Sequence, residues 1–461
     1  MLYSRDQKKL FKDPFSLMRQ RTLFIALTLF LTLFINVFAI PTTFTKDASL
    51  ASPDAVEAVP QTVPVDLTGE FEGAPYRIQV PANWNGTLLV YVHGYRDKAD
   101  HPGEVDDRSV DDAQVQQVLV LGYALASSAL RDNGWAVREG VLDIKYLTRF
   151  FRDNVATPQR TILLGFSMGS VITLASMERD GGRLYDGAIA GCAVGAGTSR
   201  SWDLTADLLL AYDVVFGVPP NWGNPGDVRD DLDFETEVAP KLLAEISNPL
   251  NFGLFEFIRL VSGNPGRGIT PPPPFSPQPF FPRWVLADMK YATEYRAELE
   301  RRAGGRIVQN LNHTYSLTSN EKAYLALLGL DPEPLLAAMN ARTNISAESL
   351  ARNYLMRNAD YTGNINRPVL TLHTIIDELV SVSHESAYRD TVTAAGRENF
   401  LFQTYTNGIG HCNFTPVQLQ TALVAIDRWV RTDMRPVPSD FSASQGFDAL
   451  FTPPPFPQPS R

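Results

Sequence analysis

Positive charge is the scarcer sign in this chain of 461 residues: 41 lysines and arginines stand against 51 aspartates and glutamates, a formal net charge of −10. The body of the chain holds no basic cluster. Phosphate backbones need a basic face, so the balance argues against nucleic acid as a partner. Histidine is also rare. Six are present, and none has metal-ligand spacing with another histidine or a carboxylate, so no metal and no cofactor are expected. Cysteine is rarer still, with only Cys192 and Cys412. Two readings stay open for this pair: one bridge, formed in an oxidising compartment, or two buried free thiols. What remains is an ordinary globular composition, 20% charged and 44% hydrophobic, long enough for a large α/β core with insertions.

The N-terminus addresses location. Arg5, Lys8, Lys9, Lys12, Arg19 and Arg21 outweigh Asp6 and Asp13, and residues 22–40 carry no charge. A basic region, an apolar run and Val37-Phe38-Ala39 as a small-residue cleavage site predict a signal peptide or an uncleaved membrane anchor over residues 1–45. Either reading makes the body secreted or extracytoplasmic. Residues 46–64 read as a linker and residues 436–461 as a Pro-rich tail.

The central motif is Gly165-Phe166-Ser167-Met168-Gly169. An apolar, partly β-branched run (161–164) precedes it and a helical pattern follows, so G-x-S-x-G stands in a strand–turn–helix context. Ser167 is then a candidate nucleophile. Upstream, Gly73-Ala74-Pro75 suggests the turn of an early hairpin ending at Val80, and Thr87–Val92 is a doubly buried strand ending in His93-Gly94-Tyr95. The backbone N–H groups of Tyr95 and Met168 are candidate oxyanion donors, with Gly94 permitting close approach. His93 reads as a loop-fixing residue. Residues 111–122 have a helical pattern, 123–128 read as a strand, and Ile144, Leu147 and Phe151 mark one face of a helix. The next strand is Gly187–Val194.

Between 200 and 360 the rhythm changes to helical patches separated by turns, with aromatic and proline-rich pieces at 219–223 and 271–282. We read this segment as a largely helical cap inserted into the sheet domain; a separate domain is the alternative. Gly263–Thr270 has no lysine and no preceding strand, so it reads as a turn rather than a phosphate loop. The sheet resumes at Arg367–His373, which places Asp377 four residues past the strand end, with Glu378 as fallback acid. After a last strand, 400–405, the loop Asn407-Gly408-Ile409-Gly410-His411-Cys412 offers the base, and a helix with Leu419, Leu423, Ile426 and Val430 closes the domain. His384 is the rival base, only seven residues beyond Asp377.

The order Ser167, Asp377, His411 supplies nucleophile, acid and histidine. Through His93-Gly94, Gly165–Gly169, Asp377-x-x-Val380 and Gly410-His411, the chain resembles the α/β-hydrolase superfamily. The resemblance covers about residues 65–199 and 361–435. It implies a mainly parallel sheet with helices on both faces and the helical cap over 200–360. It also implies a serine hydrolase of the esterase or peptidase kind, acting through an acyl-enzyme on a small-molecule or polymer-borne ester. Aromatics and prolines in the cap favour an apolar or aromatic group. The alternatives are a serine peptidase and a non-catalytic binding module. Similarity to feruloyl esterases and tannases is partial: those place a cysteine before the serine and another after the histidine, whereas here Phe166 precedes Ser167 and only Cys412 matches. Asn85, Asn312, Asn344 and Asn413 begin N-x-S/T sequons.

Overall fold

Strands that read as unbroken apolar runs need cover on both faces, and the chain meets that need with one large sheet. The computed structural model describes residues 63–96, 112–263, 281–311 and 313–457. The expected signal or anchor segment, nearly all of the linker, His101 and Asn312 lie outside the described residues. No helix among the described residues is long and apolar enough to cross a membrane.

The sheet contains β1 (Val65–Phe71), β2 (Ala74–Val80), β3 (Thr87–Val92), β4 (Ala124–Ser128), β5 (Arg160–Phe166), β6 (Gly187–Gly191), β7 (Val369–Ile376) and β8 (Leu401–Ile409). Their spatial order is β1-β2-β4-β3-β5-β6-β7-β8. β2 runs antiparallel to β1 and β4, and every other pairing is parallel. The crossovers carry α1 (Asp112–Val120), α2 (Val137–Phe150) and α3 (Met168–Asp180), while α12 (Ser383–Ala394) and α13 (Pro416–Thr432) flank β8. This is the α/β-hydrolase fold, mainly parallel with helices on both faces.

Alternation along the strands builds two core layers. Leu88, Val90 and Val92 of β3 pack with Leu163 of β5 and with Ile144, Leu147, Val171 and Ile172 of α2 and α3. On the opposite face, Leu89, Ile162, Ile189 and Leu370 pack with Leu423, Ile426 and Trp429 of α13. Edge strand β1 instead alternates half-buried and exposed positions, as an antiparallel edge with one face in solvent does.

Between β6 and β7 the described chain forms helices joined by turns and irregular stretches, with one short two-stranded ribbon, Gly223–Asn224 with Asp227–Val228. The helices are α4 (Thr198–Phe216), α5 (Ala239–Ile246), α6 (Phe252–Ser262), α7 (Phe281–Lys290), α8 (Arg296–Ala303), α9 (Ser319–Leu327), α10 (Glu333–Asn340) and α11 (Ser349–Ala359). Leu208–Tyr212, Trp222, Phe255, Phe257 and Met289 form an apolar cluster of this segment's own. α4 ties that cluster to the sheet, because Trp202 and Ala206 near its start belong to the sheet's core.

Several boundaries differ from the sequence reading, among them the end of β6, at Gly191 rather than Val194, and the end of β8, at Ile409 rather than residue 405. The first turn is Glu72-Gly73, both at positive φ (49° and 85°), so Ala74 and Pro75 already belong to β2; a type I′ two-residue hairpin needs left-handed backbone at both positions. β7 continues through Thr374-Ile375-Ile376, which makes Asp377 the residue immediately after the strand. Residues 436–457 of the Pro-rich tail pack on the core: Phe441 and Phe447 join the α13 layer, and the Phe456 ring lies 4.8 Å from that of His384.

Candidate active site

Ser167 sits between β5 and α3 with φ 55° and ψ −126°, a left-handed conformation that costs a non-glycine residue free energy. The flanking glycines make the turn feasible. A Cβ on Gly165 would collide with the Gly169 carbonyl and Thr173 Oγ1, and one on Gly169 with the Val92 and His93 carbonyls. The turn is anchored from three directions. Ser167 N–H donates to Gly191 O at 3.1 Å, Ser170 N–H donates to Ser167 O at 2.8 Å, and Ser170 Oγ accepts from Val194 N–H at 3.1 Å.

Ser167 Oγ lies 2.9 Å from His411 Nε2. His411 Nδ1 lies 2.8 Å from Asp377 Oδ2 and 3.0 Å from Oδ1. Asp377 Oδ1 also accepts the N–H groups of Leu379 (3.0 Å) and Val380 (2.8 Å). Burial works against the charge on Asp377, but the imidazoles of His411 and His373 outweigh it and hold the carboxyl well below the usual carboxylate range. Asp377 therefore stays ionised and acts as a fixed acceptor for the histidine.

The histidine loop is held from the strand beneath it. Gly410 N–H donates to Ile376 O at 2.7 Å, and Thr374 Oγ donates to Gly410 O at 2.9 Å. Gly410 has φ 109°, a backbone suited to glycine. Cys412, at φ 52°, is joined by a disulfide to Cys192 (φ 43°), and their Cα atoms are 5.2 Å apart. Of the two thiol readings, the structure thus contains the bridge, from the end of β6 to the residue beside His411. Cys192, His411 and Cys412 place ligand-type atoms within 4.8 Å of one another, but the bridge removes both thiolates from any such role.

Met168 is the first residue of α3, so its N–H has no acceptor within the helix. The Gly94–Tyr95 backbone passes close to the serine: a Cβ on Gly94 would lie 3.3 Å from Ser167 Cβ. The Tyr95 ring is 4.3 Å from Tyr295 and 6.4 Å from Tyr291, and Tyr291 stacks on Trp202 at 4.6 Å. The helical segment therefore brings an aromatic group to the strand ends where the serine sits.

The other histidines among the described residues hold structure. His93 places its ring nitrogens 2.6 Å from Gly94 O and 3.2 Å from Ala129 O, which fixes the loop after β3. The rival base, His384, accepts the Ala196 N–H at Nδ1 (3.2 Å). Burial and the neighbouring charges of His373 and Arg200 push it down to about 3. Glu378, the fallback acid, is buried beside Gly410, while its neighbour Asp377 takes the histidine. His313 pairs with Asp207 at 3.2 Å within the helical segment.

Sequence reasoning overlooked four residues. Ser170 braces the carbonyl of Ser167. His373 and Glu385 stand behind Asp377, where a histidine inside an apolar strand was the available signal. Asp288 of α7 is 1% exposed, and neither carboxyl oxygen has a hydrogen-bond partner among the described residues. Burial first, then the nearby Glu378 and Asp377, raises its carboxyl well above the usual range.

No protein-family model matches the chain. Among characterised proteins it is similar to an o-phthalyl amidase from Xanthobacter agilis, 22% identical over 394 residues that span 76% of this chain and 84% of that protein. Among solved structures it is similar to Candida antarctica lipase A, at TM-score 0.40 and 14% identity, over 79% of this chain and 75% of that one. A Pyrococcus furiosus esterase matches at TM-score 0.37 and 11% identity, over 80% of this chain and 91% of that one. Feruloyl esterase B from Aspergillus oryzae matches at TM-score 0.35 and 12% identity, over 81% and 80%.

Proposed function

We propose that this α/β-hydrolase-fold chain is an exported serine hydrolase that cleaves carboxylic esters through an acyl-enzyme. The observation that carries the reading is the unbroken hydrogen-bonded row from Ser167 Oγ through His411 to Asp377, at 2.9 and 2.8 Å. As Ser167 attacks the carbonyl carbon, His411 Nε2 takes the hydroxyl proton and then gives it to the leaving alkoxide. Asp377 keeps the proton of the imidazole on Nδ1 and stabilises the imidazolium. The N–H groups of Met168 and Tyr95 hold the oxyanion, each worth roughly 3–4 kcal/mol in comparable sites. Water, deprotonated by the same histidine, resolves the acyl-enzyme. Aromatic rings at Tyr95, Tyr291, Tyr295 and Trp202 support an apolar or aromatic acyl or alcohol group. Export is supported by the basic-then-apolar N-terminus and by the disulfide.

A second reading, hydrolysis of an aromatic amide by the same residues, is favoured by one observation: the characterised relative is an amidase named for an o-phthalyl group. A panel of p-nitrophenyl esters against aryl amides and aminoacyl-naphthylamides separates the two. We expect ester turnover to dominate and to vanish in Ser167→Ala, with the circular dichroism spectrum unchanged. Turnover that persists in Ser167→Ala overturns the serine mechanism. Preference for the amides replaces the first reading with the second.

A further inference from the structure

Strand β7 and the residue after it bring two titratable groups towards the site in successive layers. Asp377 touches His411, and His373 lies behind Asp377 with its Nε2 3.6 Å from Asp377 Oδ2. The His373 side chain is fully buried, and each ring nitrogen faces an acceptor: Nε2 is 2.8 Å from Val380 O and Nδ1 is 3.1 Å from Glu385 Oε1. A backbone carbonyl only accepts, so Nε2 carries a proton. Glu385 Oε2 already accepts from Thr371 Oγ and Gln403 Nε2. With Glu385 as a carboxylate, that leaves Oε1 to accept from Nδ1–H, so both ring nitrogens donate, the arrangement of an imidazolium. Burial alone would lower the His373 pKa, but the Asp377 and Glu385 carboxylates outweigh it and raise it to about 10.

We propose that His373, held by Glu385, is a positioning residue for the triad: its cation fixes the orientation of Asp377 and offsets part of the negative charge that His411 feels. The proposal rests on the serine-hydrolase reading above. The other groups around this pair do not supply the same charge. His384 of α12, with Arg200 nearby, is pushed down to about 3 and is neutral at working pH. The Tyr405 hydroxyl of β8 is raised by burial and by Glu385, and Asp288 of α7 is raised by burial, Glu378 and Asp377, and neither group can carry positive charge. Glu378, beside Gly410, is an acid and supplies no positive charge. His373 is thus the cation that lies against Asp377 from behind, 3.6 Å from its Oδ2.

Removing that cation leaves the Asp377 charge unopposed, so the base stays protonated to higher pH. A unit charge two contacts away, at an effective dielectric of about 20, moves a titration by roughly one to two pH units. The test compares kcat/KM against pH for the full-length protein and His373→Gln with a p-nitrophenyl ester, alongside fluorophosphonate labelling of Ser167. We expect the acid limb to move to higher pH by about one unit or more. Labelling with an unmoved limb, even with a lower rate, overturns the proposal alone. No labelling of the native chain overturns the site reading and this proposal with it. Where His373→Gln does not fold, ring NMR of the native protein decides. A doubly protonated His373 at mildly alkaline pH supports the proposal, and a neutral tautomer overturns it.

Discussion

Removing the Cys192–Cys412 bridge should damage both stability and catalysis, by separate routes. The bridge closes a loop with a sequence separation of 220 residues. Chain-entropy arithmetic for a loop of that length gives about 5 kcal/mol, and residual structure in the unfolded chain brings measured values to about 2–5 kcal/mol. The catalytic effect is local. Cys412 adjoins His411, and its Sγ is 3.5 Å from the His411 Nε2 that faces Ser167. Without the bridge the loop keeps the Gly410 N–H bond to Ile376 O and the Thr374 bond to Gly410 O, so the fold survives while the imidazole gains freedom. Misplacement by about 1 Å at such a contact costs on the order of 100-fold. In the double variant Cys192→Ser/Cys412→Ser we expect urea unfolding to show a loss of about 2–5 kcal/mol. Ester kcat/KM should fall roughly 10- to 100-fold. Unchanged unfolding and unchanged kcat/KM, also after reduction of the native protein, would refute the claim that the bridge holds the histidine loop.

Other consequences follow from single side chains. Asp377→Asn removes the acceptor that fixes the His411 tautomer, so kcat should fall about 10³- to 10⁴-fold, and the melting temperature should fall too, because the buried His373 loses a carboxylate partner; steady-state kinetics and thermal melts check this. Asp288 holds its proton more tightly folded than unfolded, so its contribution to stability falls as pH rises above the ordinary carboxyl range. Asp288→Asn should therefore melt higher than the native protein at neutral pH, with the difference shrinking towards acidic pH; a pH series of thermal melts decides. Gly169→Ala puts a methyl group against the Val92 and His93 carbonyls, and a loss of about 3 kcal/mol or more, or no folded protein, is expected in denaturant titration.

Much of this architecture can be read from the chain because strands covered on both faces must be apolar throughout. Thr87–Val92, Ile162–Leu164 and Val369–Leu372 carry that signature, and so does the helix stripe Ile144, Leu147 and Phe151. The G-x-S-x-G turn is legible for a steric reason, since no other residue fits at Gly165 or Gly169. Boundaries set by tertiary contacts are harder. β7 runs past His373 because Thr374 and Ile376 find partners on β8, and local polarity does not announce that pairing. The helical stretch 281–303 is one rod carrying a π-turn at Tyr291–Tyr295, so a simple helical period misplaces its faces. The pairing of His373 with Glu385, and the nearness of Asp288 to Glu378, depend on how separate elements come together. A single histidine or aspartate in an apolar context hints at them without naming the partner.

The central claim is that Ser167 Oγ forms a covalent acyl intermediate. Intact-protein mass spectrometry after mixing with a slowly deacylating aromatic ester, followed by peptide mapping, tests it directly. The account predicts one acyl mass on the peptide containing Ser167, absent in Ser167→Ala and decaying at the rate of product release. Hydrolysis that proceeds with no adduct on Ser167, or an adduct on another residue, would contradict it.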